Sequence, residues 1–147
     1  MADDRLARLA LLQCWSETLT RKTKISIVDD DRSFREAIAG LMTSYGYDAQ
    51  AFESAMSFLG SDRRHATDCL IADVHMPGMT GLELHQRLAI SNKPIPTILI
   101  TGRHEQRLRA QVLRAGVLCY LTKPFDEDDL LRCIAAALGR SGAADGS

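Results

Sequence analysis

No apolar run in this 147-residue chain approaches the roughly 20 residues that a membrane-crossing helix needs. The opening Met1-Ala2-Asp3-Asp4 lacks the basic stretch and apolar block of a secretory signal. There is no surplus of charge either. A formal net charge of -1 excludes a broad electrostatic attraction to nucleic acid or to an anionic membrane. The four cysteines, Cys14, Cys69, Cys119 and Cys133, contain no C-x-x-C pair, which argues against a zinc site or a thioredoxin-like redox motif. Three of them sit inside apolar stretches and read as small core hydrophobes of a cytoplasmic protein in a reducing compartment. No internal repeat is visible. What is present is a 46% apolar composition, enough for one compact core, in a length that fits one domain plus a tail or two.

Residues 24 to 138 alternate between short apolar runs and helical patterns. The runs are Ile25-Ser26-Ile27-Val28, a weaker one around Tyr47 to Phe52, Cys69-Leu70-Ile71-Ala72, Thr97-Ile98-Leu99-Ile100, and Val117-Leu118-Cys119-Tyr120-Leu121. Runs one, three, four and five are almost continuously apolar, as strands buried on both faces of a parallel sheet are. Between them, Phe34, Ile38, Leu41 and Tyr45 mark one buried helix face, with Ser33 and Glu36 as a capping box and Gly46 as its end. Leu84 and Leu88 suggest a third helix ending before Asn92-Lys93-Pro94. Leu108, Val112 and Ala115 suggest a fourth, stopped by Gly116. Leu130, Leu131, Ile134 and Leu138 suggest a fifth, stopped by Gly139. Five βα units at this spacing imply right-handed crossovers and a doubly wound α/β sandwich. Residues 1–22 carry Leu6, Leu9, Leu12 and Trp15 among arginines and read as an extra amphipathic helix; residues 139–147 read as a flexible tail or linker.

In an open α/β sheet, ligands gather at the carboxyl ends of the strands. Run one ends in Asp29-Asp30-Asp31, run three in Asp73, run four in Thr101, and run five leads into Lys123-Pro124. Each has a bland reading by itself: a solvated loop with a helix cap, turn chemistry before Met76-Pro77-Gly78, a good strand residue, a surface lysine. Together they bring carboxylates, a hydroxyl and an ammonium to one sheet edge. Two unit charges about 4 Å apart repel by roughly 4 kcal/mol at an effective dielectric near 20. Such an edge therefore calls for a cation, and Mg2+ (or Mn2+) suits oxygen ligands that leave room for phosphate oxygens. An Asp carboxylate beside it can attack phosphorus while the lysine stabilises the transferring oxygens.

At this point the sequence resembles the receiver domains of two-component response regulators. The stretches that carry the resemblance are Ile27-Val28-Asp29-Asp30-Asp31, Asp73 through Leu84 (DVHMPGMTGLEL), Ile98-Leu99-Ile100-Thr101-Gly102, and Tyr120-Leu121-Thr122-Lys123-Pro124-Phe125. They span about Lys24 to Leu138. The Thr-Gly and Lys-Pro-Phe wording is similar to the FixJ-type branch of transcriptional regulators. The resemblance implies a flavodoxin-like, CheY-like (βα)5 fold with strand order 2-1-3-4-5, the order of a chemotaxis member of the family, and helices one and five on one face. It implies that Asp73 is the phosphoacceptor in a phosphorelay, that Asp29, Asp30, Asp73 and the backbone carbonyl of His75 hold the metal, and that Thr101 and Lys123 contact the phosphoryl group. It implies a cis Lys123-Pro124 peptide and a switch formed by Thr101 and Tyr120. His75 and Arg103, two residues after Asp73 and Thr101, are candidates for tuning the lifetime of the phosphoryl group.

The expected partner is a sensor histidine kinase or phosphotransfer protein. The expected readout surface is helix four, strand five and helix five, with Arg107, Arg109 and Arg114 around helix four and Asp126, Glu127, Asp128 and Asp129 opening helix five, charges that could pair across a homodimer. A helix-turn-helix effector would need several dozen more residues after the fifth helix, so DNA binding by this chain is not expected, nor is enzyme activity beyond its own phosphorylation and dephosphorylation. Two rivals remain. One is an Asp-nucleophile metal-dependent phosphatase using Asp29-x-Asp31. The other is a receiver-fold interaction module that is never phosphorylated.

Overall fold

Successive side chains of a strand point to opposite faces, and here both faces are apolar. Ile25, Ile27, Cys69, Ile71, Ile98 and Ile100 build one core cluster, while Val28, Leu70, Ala72 and Leu99 belong to another. A strand apolar on both sides needs a helix layer on each. The computed structural model, which describes residues 22–102 and 106–146 (106 and 140–146 by backbone alone), supplies them. The order is β1 (Lys24–Val28), α1 (Arg32–Ser44), β2 (Asp48–Phe52), α2 (Ala55–Leu59), a 3-10 helix (Asp62–His65), β3 (Cys69–Asp73), α3 (Gly81–Ala89), β4 (Thr97–Thr101), α4 (Gln106–Arg114), β5 (Cys119–Thr122) and α5 (Glu127–Gly146).

The five strands form one parallel sheet in the order β2-β1-β3-β4-β5. Ile38 and Met42 of α1 and Leu130, Ile134 and Ala137 of α5 cover one face. Phe58 of α2, Leu84 and Leu88 of α3, and Leu108 and Val112 of α4 cover the other. The expected fold class and strand order are thus observed.

Several local expectations change. The fifth run, read as buried on both faces, is an edge strand whose residues are all half-buried, because nothing pairs beyond β5 among the described residues. The weak second run is weak for the same reason at the opposite edge. Tyr45 is not on the buried face of α1. It is 51% exposed, its hydroxyl donates to the Glu127 carboxylate, and Met42 takes the buried position. Ser33 does not cap α1 either. Asp31 does, accepting from the Ser33 and Phe34 amides at 3.0 and 3.4 Å, while Glu36 pairs with Arg32 at 2.9 Å. The carboxylate one step before the helix wins because it reaches two orphan amides at once.

Gly46 follows α1 at φ 89, the left-handed conformation expected of a terminating glycine. Gly139, by contrast, does not end α5, whose backbone continues through Gly146. Glycine lowers helix stability by about 1 kcal/mol but does not forbid the conformation. The expected helix in residues 1–22 lies outside the described residues, save for Lys22. Cys69 and Cys133 are buried, and burial pushes both thiols up to about 12, so they pack as neutral hydrophobes as expected. No helix among the described residues is long and apolar enough to cross a membrane.

Candidate functional site

The parallel arrangement carries all five strand ends to one edge, and the acidic residues stand there because the runs before them are core. Val28 and Ala72 are paired in register and both fully buried, so Asp29 and Asp73, each the next residue, emerge side by side. Asp29 is 1% exposed and Asp73 is also buried, whereas Asp30 faces solvent. Carboxylate oxygens of Asp29, Asp30 and Asp73 lie within 4.8 Å of one another.

Lys123 crosses from the far side of the sheet. Its Nζ is 3.3 Å from Oδ2 of Asp29 and 3.6 Å from Oδ2 of Asp73. The ammonium also sits 3.8 Å from the centroid of the Phe34 ring, a cation–π contact that shields it from water. Phe34 in turn meets Phe125 edge-on, with centroids 6.1 Å apart. The Lys123-Pro124 peptide is cis, and the Lys123 amide donates to the Thr101 carbonyl at 2.7 Å.

Burial holds the Asp29 carboxyl above its ordinary range. The Asp73 charge pushes the same way, opposed by the Asp31 amide, 2.8 Å from Oδ1, and by Lys123. Three carboxylates against one ammonium leave the pocket short of positive charge. Its donors are all hard oxygens, which fits a small divalent cation such as Mg2+ and does not fit a thiolate- or imidazole-seeking metal. Asp29 is further fixed through its backbone, whose carbonyl accepts from Arg35 at 2.9 Å.

The loop after Asp73 is shaped around it. The His75 amide donates to Asp73 Oδ1 at 3.0 Å, Gly78 turns at φ 79, and the Gly81 amide donates to the Val74 carbonyl at 3.1 Å. Thr80 caps α3 in a capping box with Glu83. The helix therefore starts against the strand end, and a Cβ on Gly81 would stand 2.4 Å from the Asp73 carbonyl oxygen.

Of the expected site residues, Asp29, Asp30, Asp73 and Lys123 come together. Thr101 is fully buried at the end of β4, one residue past Ile100, the partner of Asp73. Tyr120 lies on β5, packed against the α2–α4 side of the core. His75 is half-buried beside Asp73. Arg103 lies outside the described residues. The sequence reading missed Phe34 as a partner of Lys123, missed Arg35 altogether, and held Gly81 only as part of the Asp73 to Leu84 stretch, without its close approach to the strand end. A Thr-x-x-Glu spacing at Thr80 was there to announce the start of α3.

Comparison with known proteins agrees with this geometry. The family described as "Response regulator receiver domain" matches residues 25–135. Response regulator protein TmoT of Ectopseudomonas mendocina is 40% identical over 118 residues, covering 80% of this chain and 54% of that protein. Transcriptional regulatory protein FixJ of Bradyrhizobium diazoefficiens is 32% identical over 120 residues, covering 82% and 58%. A crystal structure of a response regulator receiver protein from Burkholderia phymatum superposes with a TM-score of 0.70 at 37% identity, covering 80% of this chain and 96% of that one. The chain spans about half the length of the curated relatives it matches.

Proposed function

The chain belongs to the response regulator receiver family, in its FixJ-like branch, and from that premise we propose that Asp73 accepts a phosphoryl group from a sensor histidine kinase or phosphotransfer protein. One observation carries the reading: segments 44 and 50 residues apart in sequence deliver Asp29, Asp73 and Lys123 to a single pocket, with Lys123 touching both carboxylates. Receiver domains use Mg2+ in this acidic pocket. Here Asp29, Asp30, Asp73 and the His75 carbonyl would hold it. When bound, it neutralises the carboxylates and the incoming phosphoryl oxygens.

In the transfer, an Asp73 carboxylate oxygen forms a bond to phosphorus as the bond from phosphorus to the donor's imidazole nitrogen breaks. The electron pair stays on that nitrogen. Lys123, already 3.6 Å from Asp73, then pairs with a phosphoryl oxygen, and the Thr101 hydroxyl donates to another. The new group brings roughly -1.5 to -2 charge. Thr101 and Tyr120 respond as a pair, and the face of α4, β5 and α5 reports the change, with a homodimer across that face as one readout. Receivers are not general catalysts, and this one acts as a stoichiometric acceptor.

The phosphatase rival loses support from the Asp29-x-Asp31 pair itself. The Asp31 carboxylate caps α1, and Asp29 is engaged by the Asp31 amide and Lys123. Beryllofluoride, a mimic of the bound phosphoryl group, gives a direct test. It should perturb the spectra of residues around Thr101 and Tyr120 only when Mg2+ is present. Mg2+-independent binding, or none, would leave a receiver-shaped interaction module instead.

His75 is the candidate for setting the lifetime of the phosphoryl group. Its Nε2 is buried with no hydrogen-bond partner among the described residues. We propose a phosphoryl oxygen on Asp73, whose carboxylate already accepts from the His75 amide, as its partner. Losing a bond of about 1 kcal/mol corresponds to about fivefold in rate, so His75→Asn should dephosphorylate about fivefold faster. Decay of the labelled chain followed by intact mass checks this, and an unchanged rate would remove the idea.

A further inference from the structure

Lys123 has two tasks in turn, and neither of its carboxylate partners holds it through both. Before transfer its ammonium lies 3.3 Å from Asp29 and 3.6 Å from Asp73. A charge-assisted N–H···O bond closes to about 2.7–2.9 Å, so the ammonium is shared between two carboxylates rather than fixed on one. Its stem is a flexible four-carbon chain that costs little to swing.

A competing anion stands on the same cavity. Lys123 and Glu127 both line an opening of about 520 Å³, together with Phe34 and Phe125. The Glu127 carboxylate is exposed and accepts from the Tyr45 hydroxyl. Lys123 nevertheless stays with Asp29 and Asp73. The Phe34 ring takes a further side of the ammonium, its centroid 3.8 Å from Nζ.

The turn that fixes this ring is the one that fixes Asp29. The Phe34 amide donates to the Asp31 carboxylate at 3.4 Å, and the next residue, Arg35, donates to the Asp29 carbonyl at 2.9 Å. From the other side Phe125 meets the ring edge-on, at 82° between planes. An aromatic face attracts a cation within about 6 Å of its centroid, whereas a hydrogen bond weakens steeply once it is off axis. From 3.8 Å the ammonium therefore has about 2 Å of travel before it leaves the ring's attraction.

We infer that Phe34 is a positioning residue for phosphotransfer: its ring holds the Lys123 ammonium at Asp29 and Asp73 beforehand, and keeps hold of it as it shifts to the phosphoryl oxygen. The inference rests on Asp73 being the acceptor. Phe34 touches neither phosphorus nor the attacking oxygen and acts through Lys123 alone.

Two measurements on the full chain test it. Protons that lie over a ring face resonate upfield, so the Lys123 ε-methylene signals should stand apart from those of exposed lysines. They should remain upfield after Mg2+ and beryllofluoride are added. Phe34→Leu, which keeps an apolar side chain and loses the ring, should remove the shift, while Phe34→Tyr and Phe34→Trp should retain it. Labelling with a small phosphodonor and Mg2+, followed by intact mass well below each variant's Tm, should slow about fivefold in Phe34→Leu and recover in Phe34→Tyr or Phe34→Trp. A Phe34→Leu chain that labels at the unsubstituted rate overturns the inference and leaves the acceptor reading intact. So does a slow Phe34→Leu chain that neither aromatic variant rescues, because packing alone then accounts for the loss. Lys123 signals without an upfield shift in the unsubstituted chain overturn it as well. An unsubstituted chain that takes no label removes the acceptor reading itself, and with it the reaction that Phe34 serves.

Discussion

The Asp73→Asn chain, incubated with Mg2+ and a small phosphodonor, keeps its original mass while the unsubstituted chain gains one phosphoryl group. The expected loss is complete. The amide that replaces the carboxylate is nearly the same shape, so the Val74 and His75 backbone contacts and the buried strand before it have no reason to move. What disappears is the anionic oxygen that attacks phosphorus, and a carboxamide is a far poorer nucleophile. Asp29 remains engaged with the Asp31 amide and Lys123 and offers no substitute. A variant that still takes up label would move the acceptor elsewhere, and Asp29 or Asp30 would be the first positions to map.

Gly81→Ala is expected to lower stability by about 3 kcal/mol, towards the upper end of what overpacking costs, which for a chain of this size is about 10 °C in Tm. The added Cβ would lie 2.4 Å from the Asp73 carbonyl oxygen, 2.9 Å from its carbon and 3.1 Å from Leu99 Cδ2. Two of these are backbone atoms of a fully buried strand and cannot swing aside, so the first turn of α3 must lift away. Phosphorylation should slow as well, because the loop from Asp73 to Gly81 moves with the helix. Gly40→Ala provides the contrast. Gly40 is an exposed mid-helix position of α1 with open space where the Cβ would go, and alanine there should stabilise by about 1 kcal/mol. Thermal denaturation of both variants measures the pair; equal shifts would show that the close approach at Gly81 carries no cost.

The parts of this fold that were legible in the sequence are those where burial is total. The runs at Ile25, Cys69 and Thr97 are apolar at nearly every position because helices cover both sides, and few architectures besides a covered parallel sheet produce that pattern. Edge positions blur it: β2 reads faintly and β5 reads too strongly. The α2 helix covers only Ala55–Leu59 before the 3-10 helix takes over, too short for a period of 3.6 to declare itself. The candidate site was legible because its chemistry falls at the strand ends, so Asp29, Asp30, Asp73, Thr101 and Lys123 could be gathered in order. The flanking details were not. Whether Ser33 or Asp31 caps α1 depends on the direction of the chain leaving β1. That Phe34 lies over Lys123 depends on the crossing of α1 and the β5–α5 connection, which no local pattern encodes.

The sheet's two outer strands are short. Cys119–Thr122 runs four residues before Lys123-Pro124, and Asp48–Phe52 runs five, opening on a carboxylate tied to Arg63 at 3.2 Å. An open strand is a template on which another chain can extend the ladder, with amyloid-like stacking as the extreme case. A template four residues long and followed by proline, which has no amide hydrogen to donate, offers little for such growth. Whatever recognises the β5 side of this molecule must therefore read its side chains and helices, since main-chain zippering has too short a track to hold.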